Sequence, residues 1–488
     1  MTRALRRVVV FAAAVLLLLL PLAIPPADAV LPAGPPLARA FVWGRDSAFR
    51  ALEARFADAR VRGCADSVGS QRALDAMERR IAGIAALPLA PDAPAFDSLE
   101  AEWFGLAPEA AACAPVASRY VSAQARLREA VKRQSMGWDV NATPARDRLY
   151  RALYGGRAAV EEVMLQQGAA VPTLLAGRDE PSATPSAVSN GVRLHSGDIL
   201  VSRGGYPTSA LIARGNDYPG NFSHIALVHI DSATRAITVV EAHIELGVAI
   251  TTADGYLADK KLRLMVLRPR ADLPAMVADP LLPHKAATAM LARARAGHIP
   301  YDFAMDYTDA SRLFCSEVAS QAYRAEGLPL WMGLSTISRP GLRHWLGSFG
   351  VRHFATQEPS DLEYDPQVTV VAEWRDAATL FEDHIDNAVT DAMLEGAERG
   401  DRLTYPWYQL PVARLLKGWS WLVQRTGRPG TIPEGMSPAA ALRNRGYGAR
   451  HDAFAAEVRT AAEAWRAERG YAPPYWVLLD LARAAVAD

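Results

Sequence analysis

The pattern of apolar and polar positions divides the chain into three parts. Residues 41–170 are rich in Ala and Arg, and Phe49, Leu52 and Phe56 recur at the spacing of one helix face. The same spacing predicts helices over 72–84, 117–133 and 145–167. This part of the chain is therefore predicted to be an antiparallel helical bundle.

The pattern becomes strand-like after a segment with two prolines and three serines, which predicts a linker over 178–193. Short β-branched runs predict strands over 198–202, 223–230, 236–244 and 262–268. Helices are predicted over 285–296, from Cys315 to about 327, and again from 375 to the end. The predicted fold is α+β: a domain over 194–365 between a helical N-terminal region (30–177) and a helical C-terminal region (366–488).

The first residues predict export. Arg3, Arg6 and Arg7 precede the apolar run Val8–Leu20, and small residues follow at 27–29. The run has 13 residues, fewer than the roughly 20 that span a bilayer. We therefore expect a signal peptide over 1–29 and a periplasmic or cell-envelope protein. A retained anchor is the alternative.

Composition excludes several classes of protein. Half the residues are hydrophobic, and 53 Lys and Arg balance 53 Asp and Glu, so no nucleic-acid partner is expected. There is no phosphate-binding glycine loop. Of the three cysteines, Cys64 and Cys113 lie in the same helical region and are predicted to form a disulfide. Cys315 is then left as an unpaired thiol.

Two predicted strands bring an imidazole beside a carboxylate. A hairpin with its turn at 231–236 pairs Ala226 with Glu241. The same register pairs His224 with His243. Because diagonal neighbours on one sheet face are within side-chain reach, Glu241 is placed to orient His224.

Cys315 is predicted to open a helix. The free N–H groups and the dipole of the first turn are expected to lower the pKa of its thiol, and a nearby protonated histidine would lower it further. Cys315, His224 and Glu241 would then supply the nucleophile, the base and the orienting group of an acyl-transfer triad. The backbone N–H of Cys315 is a candidate oxyanion donor.

Five short motifs occur in a familiar order. They are Gly197-Asp198-Ile199-Leu200, Phe222–Val228, Val240-Glu241-Ala242, Pro300-Tyr301-Asp302 and Phe314-Cys315-Ser316-Glu317. The set resembles the circularly permuted papain-like NlpC-type cysteine hydrolases, the YiiX-like group, which are relatives of the lecithin:retinol acyltransferases. The resemblance covers residues 194–330. It implies a permuted papain-like antiparallel sheet with a catalytic helix, and the same three site residues, with no cofactor or metal.

The expected enzyme is an exported thiol hydrolase or acyltransferase that cleaves an amide, ester or thioester through an acyl-enzyme. Its substrate would be an acylated lipid or a cell-wall peptide. Tyr301, Asp302 and His243 are candidate substrate-binding residues, although Tyr301 and Asp302 could equally stabilise a turn. After a register shift, Glu245 or His243 could replace Glu241.

Other interpretations of the sequence remain open. Cys315 could be an inert buried residue, and His224 an ordinary strand histidine. His224, Glu241 and His243 could instead bind a metal ion, or the protein could be a non-catalytic envelope-binding protein. Near the C-terminus, the tryptophans of the segment Trp407–Trp421 alternate with cations, which suits either a membrane surface or packing against the body of the protein.

Overall fold

The computed structural model describes residues 20–26, 31–32, 34–35, 45–64, 66–168, 171–426 and 428–487. Most of the predicted signal peptide, residues 1–29, lies outside these ranges. Among the helices in the described ranges, none combines the length and the apolar character needed to cross a membrane.

The N-terminal region is helical, as predicted. Its helices are α1 (Arg45–Arg62), α2 (Ser67–Ala86), α3 (Pro94–Ala112), α4 (Ala114–Ser135), α5 (Thr143–Leu149) and α6 (Gly156–Gln167). A π-helical segment, Tyr150–Gly155, interrupts the helix predicted over 145–167. The predicted disulfide between Cys64 and Cys113 is present, and Cys315 is free and buried.

A mainly antiparallel sheet follows, which confirms the predicted α+β class. Its strands are β1 (Leu174–Ala176), β4 (Ile199–Gly204), β5 (His224–Ile230), β6 (Ile237–His243), β7 (Gly247–Thr252), β8 (Lys261–Pro269) and β11 (Val368–Trp374). Their order is β1-β11-β8-β4-β5-β6-β7. The pairs β2 (Ser186–Ser189) with β3 (Val192–His195) and β9 (Ser335–Thr336) with β10 (Ala355–Thr356) lie outside this sheet.

The sheet extends beyond the limits expected from the sequence. β1 precedes the segment predicted as a linker and pairs with β11, which lies after residue 365, where the domain was expected to end. The segment itself contains β2, and its Glu180 side chain is buried and accepts a hydrogen bond from the Ala271 N–H. Residues 178–193 are therefore an ordered part of the fold and not a free linker.

Helices cover the sheet and complete the C-terminal region. Those of the central part are α7 (Pro207–Arg214), α8 (Ala253–Ala258), α9 (Pro274–Ala278), α10 (Leu282–Ala296), α11 (Cys315–Ala325), α12 (Pro340–Phe349) and α13 (Asp361–Tyr364). The C-terminal ones are α14 (Ala377–Glu398), α15 (Leu410–Gln424), α16 (Pro438–Arg469) and α17 (Tyr475–Ala487). α11 packs against β5 and β6, and this packing brings its first residue close to the start of β5 at His224.

A set of buried charges joins the three regions. Glu161 of α6 and Asp383 of α14 both accept hydrogen bonds from Arg263 of β8. Arg157 and Arg375 lie against Glu373 in the same cluster. These six residues are called the ionic junction below, and each of their side chains is at most 2% exposed.

Candidate active site

The β5–β6 hairpin positions a carboxylate between two imidazoles. Ala226 pairs with Glu241, so the predicted register is present. His224 Nε2 donates to Glu241 Oε2 at 2.6 Å, and His243 Nε2 lies 3.1 Å from Oε1 of the same carboxylate. A slip of one residue would have turned Glu241 to the opposite face. The register therefore supports Glu241, rather than Glu245, as the partner of His224.

The turn of this hairpin explains why the register is well determined. The Asp231 carboxylate accepts hydrogen bonds from the N–H groups of Ala233 and Thr234, at 3.0 and 2.7 Å. Arg235 completes the turn at a φ of 61°, in the left-handed region. Local side-chain-to-backbone bonds thus fix the loop length, and the loop length fixes which residues pair.

Cys315 is the first residue of α11, as predicted. The side chain of Glu317 accepts a hydrogen bond from the Phe314 N–H at 3.0 Å, which caps the helix start. The Cys315 thiol is buried, and Sγ lies 3.8 Å from the carbonyl oxygen of Ser223, the residue before His224. No hydrogen bond joins Sγ to the His224 ring among the residues the structure describes. Catalytic contacts are often loose before substrate binds.

The expected direction of the thiol pKa is wrong. Burial raises the pKa of Cys315 to about 12, which outweighs the N–H groups of Ile225 and Ser316 that favour the thiolate. The helix start favours the thiolate, but the loss of water around the sulfur disfavours it more. The resting thiol is therefore protonated.

The three neighbouring groups have pKa values that follow from their contacts. Burial lowers the pKa of His224 below 6.5 and outweighs the effect of Glu241, so the imidazole is neutral at neutral pH. Burial alone would raise the pKa of Glu241, but hydrogen bonds from His224 and His243 hold it well below its ordinary value. The hydrogen bond to Glu241 raises the pKa of His243. A neutral base thus lies beside a firmly ionised carboxylate.

The proposed substrate-binding residues have different surroundings. Both Asp302 oxygens accept hydrogen bonds from its own loop, from the N–H groups of Ala304 and Asp306 at 2.9 and 2.6 Å. Its contacts are those of a turn-stabilising residue. Tyr301 packs edge-on to Phe303, with ring centroids 5.1 Å apart, and lies in the electrostatic field of the Cys315 thiol. His243 contacts Glu241, so it helps to position that carboxylate.

Two further residues near the thiol were not found from the sequence. Tyr256 donates to Ser202 Oγ at 2.9 Å, and Ser202 pairs with His224 across the sheet. Glu358 acts electrostatically on Cys315, and burial raises its pKa well above 4.5. Both lie in segments without a recognisable motif, and the chain folding alone brings them to the site.

The metal-binding interpretation requires ligands that converge on one point. Within the described ranges, no group of three or more His, Cys, Asp or Glu side chains is arranged to hold a metal ion. His224 and His243 instead direct one ring nitrogen each at Glu241.

Comparison with known proteins matches the central part of the chain to a family. The family model for the permuted papain-like amidase enzymes (YaeF/YiiX, C92 family) matches residues 193–372. The antiparallel sheet and the helices of this stretch are consistent with a permuted papain-like fold. The family implies an amidase or peptidase, and the resemblance seen in the sequence is confirmed. The match ends within β11, so the helical regions on either side lie almost entirely outside the matched residues.

One solved structure is similar to this domain. The crystal structure of metalloprotein yiiX from Escherichia coli O157:H7 is 19% identical in sequence, with a TM-score of 0.29. The alignment covers 37% of this chain and 97% of that one. A search among curated proteins gave no match.

Proposed function

We propose that the permuted papain-like domain is a cysteine amidase in which Cys315 is the nucleophile, His224 the general base and Glu241 the orienting group. The observation that supports this most is the 2.6 Å bond from His224 Nε2 to Glu241 Oε2, next to a helix that begins with the free cysteine. That bond occupies Nε2 and leaves Nδ1 of His224 to accept a proton from the thiol.

Because both the thiol and the imidazole are neutral at rest, proton transfer accompanies attack. Sγ of Cys315 bonds to the substrate carbonyl carbon while His224 takes the thiol proton, and the carbonyl electron pair moves to oxygen. The C=O bond then re-forms, the C–N bond breaks, and His224 protonates the departing amine. Water attacks the resulting thioester and gives a proton to His224, which returns it to the sulfur as the acid is released.

Glu241 stabilises the imidazolium that forms in each step. Its ionised carboxylate faces Nε2 while the charge develops on the ring, so it lowers the free energy of the charged state. The backbone N–H of Cys315, at the start of α11, is the proposed donor to the oxyanion. An amide bond is the favoured target because the matching family consists of amidases. An acyl-lipid amide and a cell-wall peptide are both compatible with this chemistry. We also propose that the protein is exported, since both substrates lie in the cell envelope.

Electrophilic probes that imitate a carbonyl substrate test this assignment. One probe has a fatty acyl chain and the other a short peptide, and the labelled residue is identified by mass spectrometry. We expect one adduct, at Cys315, because Cys64 and Cys113 are bonded to each other. Cys315→Ala should lose both the adduct and turnover while it keeps the wild-type unfolding midpoint.

His224→Ala separates an enzyme from a reactive but idle thiol. We expect labelling to slow by about a hundredfold or more, since no base removes the thiol proton. Labelling at an unchanged rate would favour a non-catalytic binding protein. Stoichiometric zinc, with turnover that survives Cys315→Ala and is lost on chelation, would favour the metal hydrolase.

A further inference from the structure

Helix α15 presents an apolar face to solvent. One side of it carries Val412, Leu415, Trp419 and Leu422, which together with the preceding Trp407 are 52–64% exposed. These five residues are called the α15 face below. The side that packs against the protein is narrow and consists of Leu410, Ala413 and Ser420. The large side chains of this helix therefore point away from the body of the protein.

The segment that contains the α15 face carries charges of one sign, and the nearest carboxylate that acts on it is Glu434, beside Lys417. Between Arg402 and Ile432 the sequence contains no Asp or Glu, although the whole chain has a net charge of zero. Arg425 and Arg428 are exposed beyond the end of the helix. An apolar face with tryptophans, in a segment that has cations and no Asp or Glu of its own, complements the interface of an anionic lipid bilayer.

The buried side of α15 lies against the candidate active site. Ala413 forms a small apolar cluster with Ile432 and Met436, against which Ile244 and Phe303 also pack. Ile244 follows His243, and Phe303 follows Asp302. The helix is thus one residue layer away from two loops of the site.

The N-terminal segment meets the same helix. Arg414 donates to the carbonyl oxygens of Pro21 and Ile24, at 2.7 and 2.8 Å. These residues directly follow the apolar run that ends at Leu20. If that run is retained as an anchor, the chain leaves the bilayer beside α15.

We propose that the α15 face docks into the interface of an anionic phospholipid bilayer and holds the active site at the lipid surface. The membrane contact depends only on the α15 face and its cations. The consequence for catalysis, that the substrate is an acyl amide of a membrane lipid, rests on the proposed cysteine amidase.

Vesicle flotation with the full chain measures docking. The vesicles contain equal parts of phosphatidylglycerol and phosphatidylcholine, or phosphatidylcholine alone. Leu415→Asp with Trp419→Asp should weaken partitioning at least about tenfold. Val277→Asp is the matched control, since Val277 is 68% exposed on α9, and it should partition like wild type. Equal partitioning of the α15 variant and the control would overturn the proposal.

Charge reversal tests the lipid preference. Arg425→Glu with Arg428→Glu should weaken binding to the phosphatidylglycerol vesicles by about 25-fold or more, because each cation near such a surface contributes about fivefold. Binding to phosphatidylcholine alone should change little. Arg459→Glu, at an exposed position of α16, is the control. If the wild-type protein does not bind vesicles and sediments as a dimer, a second copy of the chain covers the α15 face. That result would overturn the proposal.

Quenching of tryptophan fluorescence by brominated lipids reports whether the α15 face enters the bilayer. It does so even if an N-terminal anchor dominates the partitioning of the protein. Tryptophan fluorescence should be quenched in wild type, and much less when Trp407 and Trp419 are changed to Phe. Equal quenching in both would contradict insertion of the face. Cys315→Ala should dock normally. If docking holds but a lipid amide is not cleaved, the catalytic proposal fails and the docking proposal stands.

Discussion

The candidate active site and the ionic junction both bury carboxylates, but they differ in the main partners of those carboxylates and in access to solvent. At the site, Glu241 meets two imidazoles whose side chains keep some exposure, 18% for His224 and 33% for His243. In the junction, Glu161 and Asp383 share the guanidinium of Arg263, Glu161 also contacts the buried His384, and solvent is almost excluded. The active-site cluster is partly exposed to solvent, and the ionic junction is almost completely buried.

The difference shows what each cluster can do. An imidazole changes its charge near neutral pH, whereas a guanidinium remains protonated. The site can therefore move a proton, and the junction holds α6, β8 and α14 in fixed positions. Burial by itself does not mark a catalytic group.

The largest expected effect comes from breaking the junction. Arg263→Met leaves Glu161 and Asp383 as buried carboxylates without their shared partner, and we expect a loss of about 3–5 kcal/mol in the free energy of unfolding. Denaturant titration measures it.

An exposed ion pair gives the control for this loss. Arg80 and Glu102 are bonded to each other, with side chains 43% and 38% exposed. Arg80→Met should cost at most about 1 kcal/mol. Similar losses in the two variants would show that the junction does not hold the three regions together.

At the site, removing one charge should affect turnover more than folding. Glu241→Gln keeps the shape of the side chain but removes the charge that stabilises the imidazolium, so we expect about a hundredfold lower kcat/KM. Glu245→Gln, at an exposed position on the following turn, should behave like wild type. If Glu245→Gln is the inactive variant, the carboxylate has been assigned wrongly.

The smallest effect is a change in pH dependence. The base must be neutral, and burial lowers the pKa of His224, so activity should fall only below pH 6.5. Glu241 raises the pKa of that imidazole, so Glu241→Gln should move the acid limb of kcat/KM to still lower pH. An acid limb above 6.5 in wild type would contradict the assigned base.

Much of the site was predictable because its determinants are local. Alternation along two neighbouring strands and the turn-forming residues between them fixed the pairing of Ala226 with Glu241. The helix start at Cys315 was also predicted, and the structure shows that Glu317, two residues further on, caps it. In each case, a few residues close in sequence decide the backbone.

The errors arose where distant segments meet. β11 begins almost a hundred residues after the end of β8, the strand with which it pairs. The sequence near β11 contains no pattern that indicates this pairing. The thiol pKa depends on everything that excludes water from Cys315, including Glu358. Trp419 and Trp421 are exposed because only a narrow side of α15 packs against the rest of the protein.

The sequence alone determined the helical N-terminal region, the strands β4, β5, β6 and β8 and the hairpin register, because propensity, turn chemistry and side-chain period act over short distances. It also identified the disulfide pair and named Cys315, His224 and Glu241 as candidates. Only the tertiary structure decided which groups lose water, and so the charge of Cys315, the packing of the ionic junction and the exposure of the α15 face. Solvent exclusion belongs to all the surfaces that meet at a point, and no single segment encodes it.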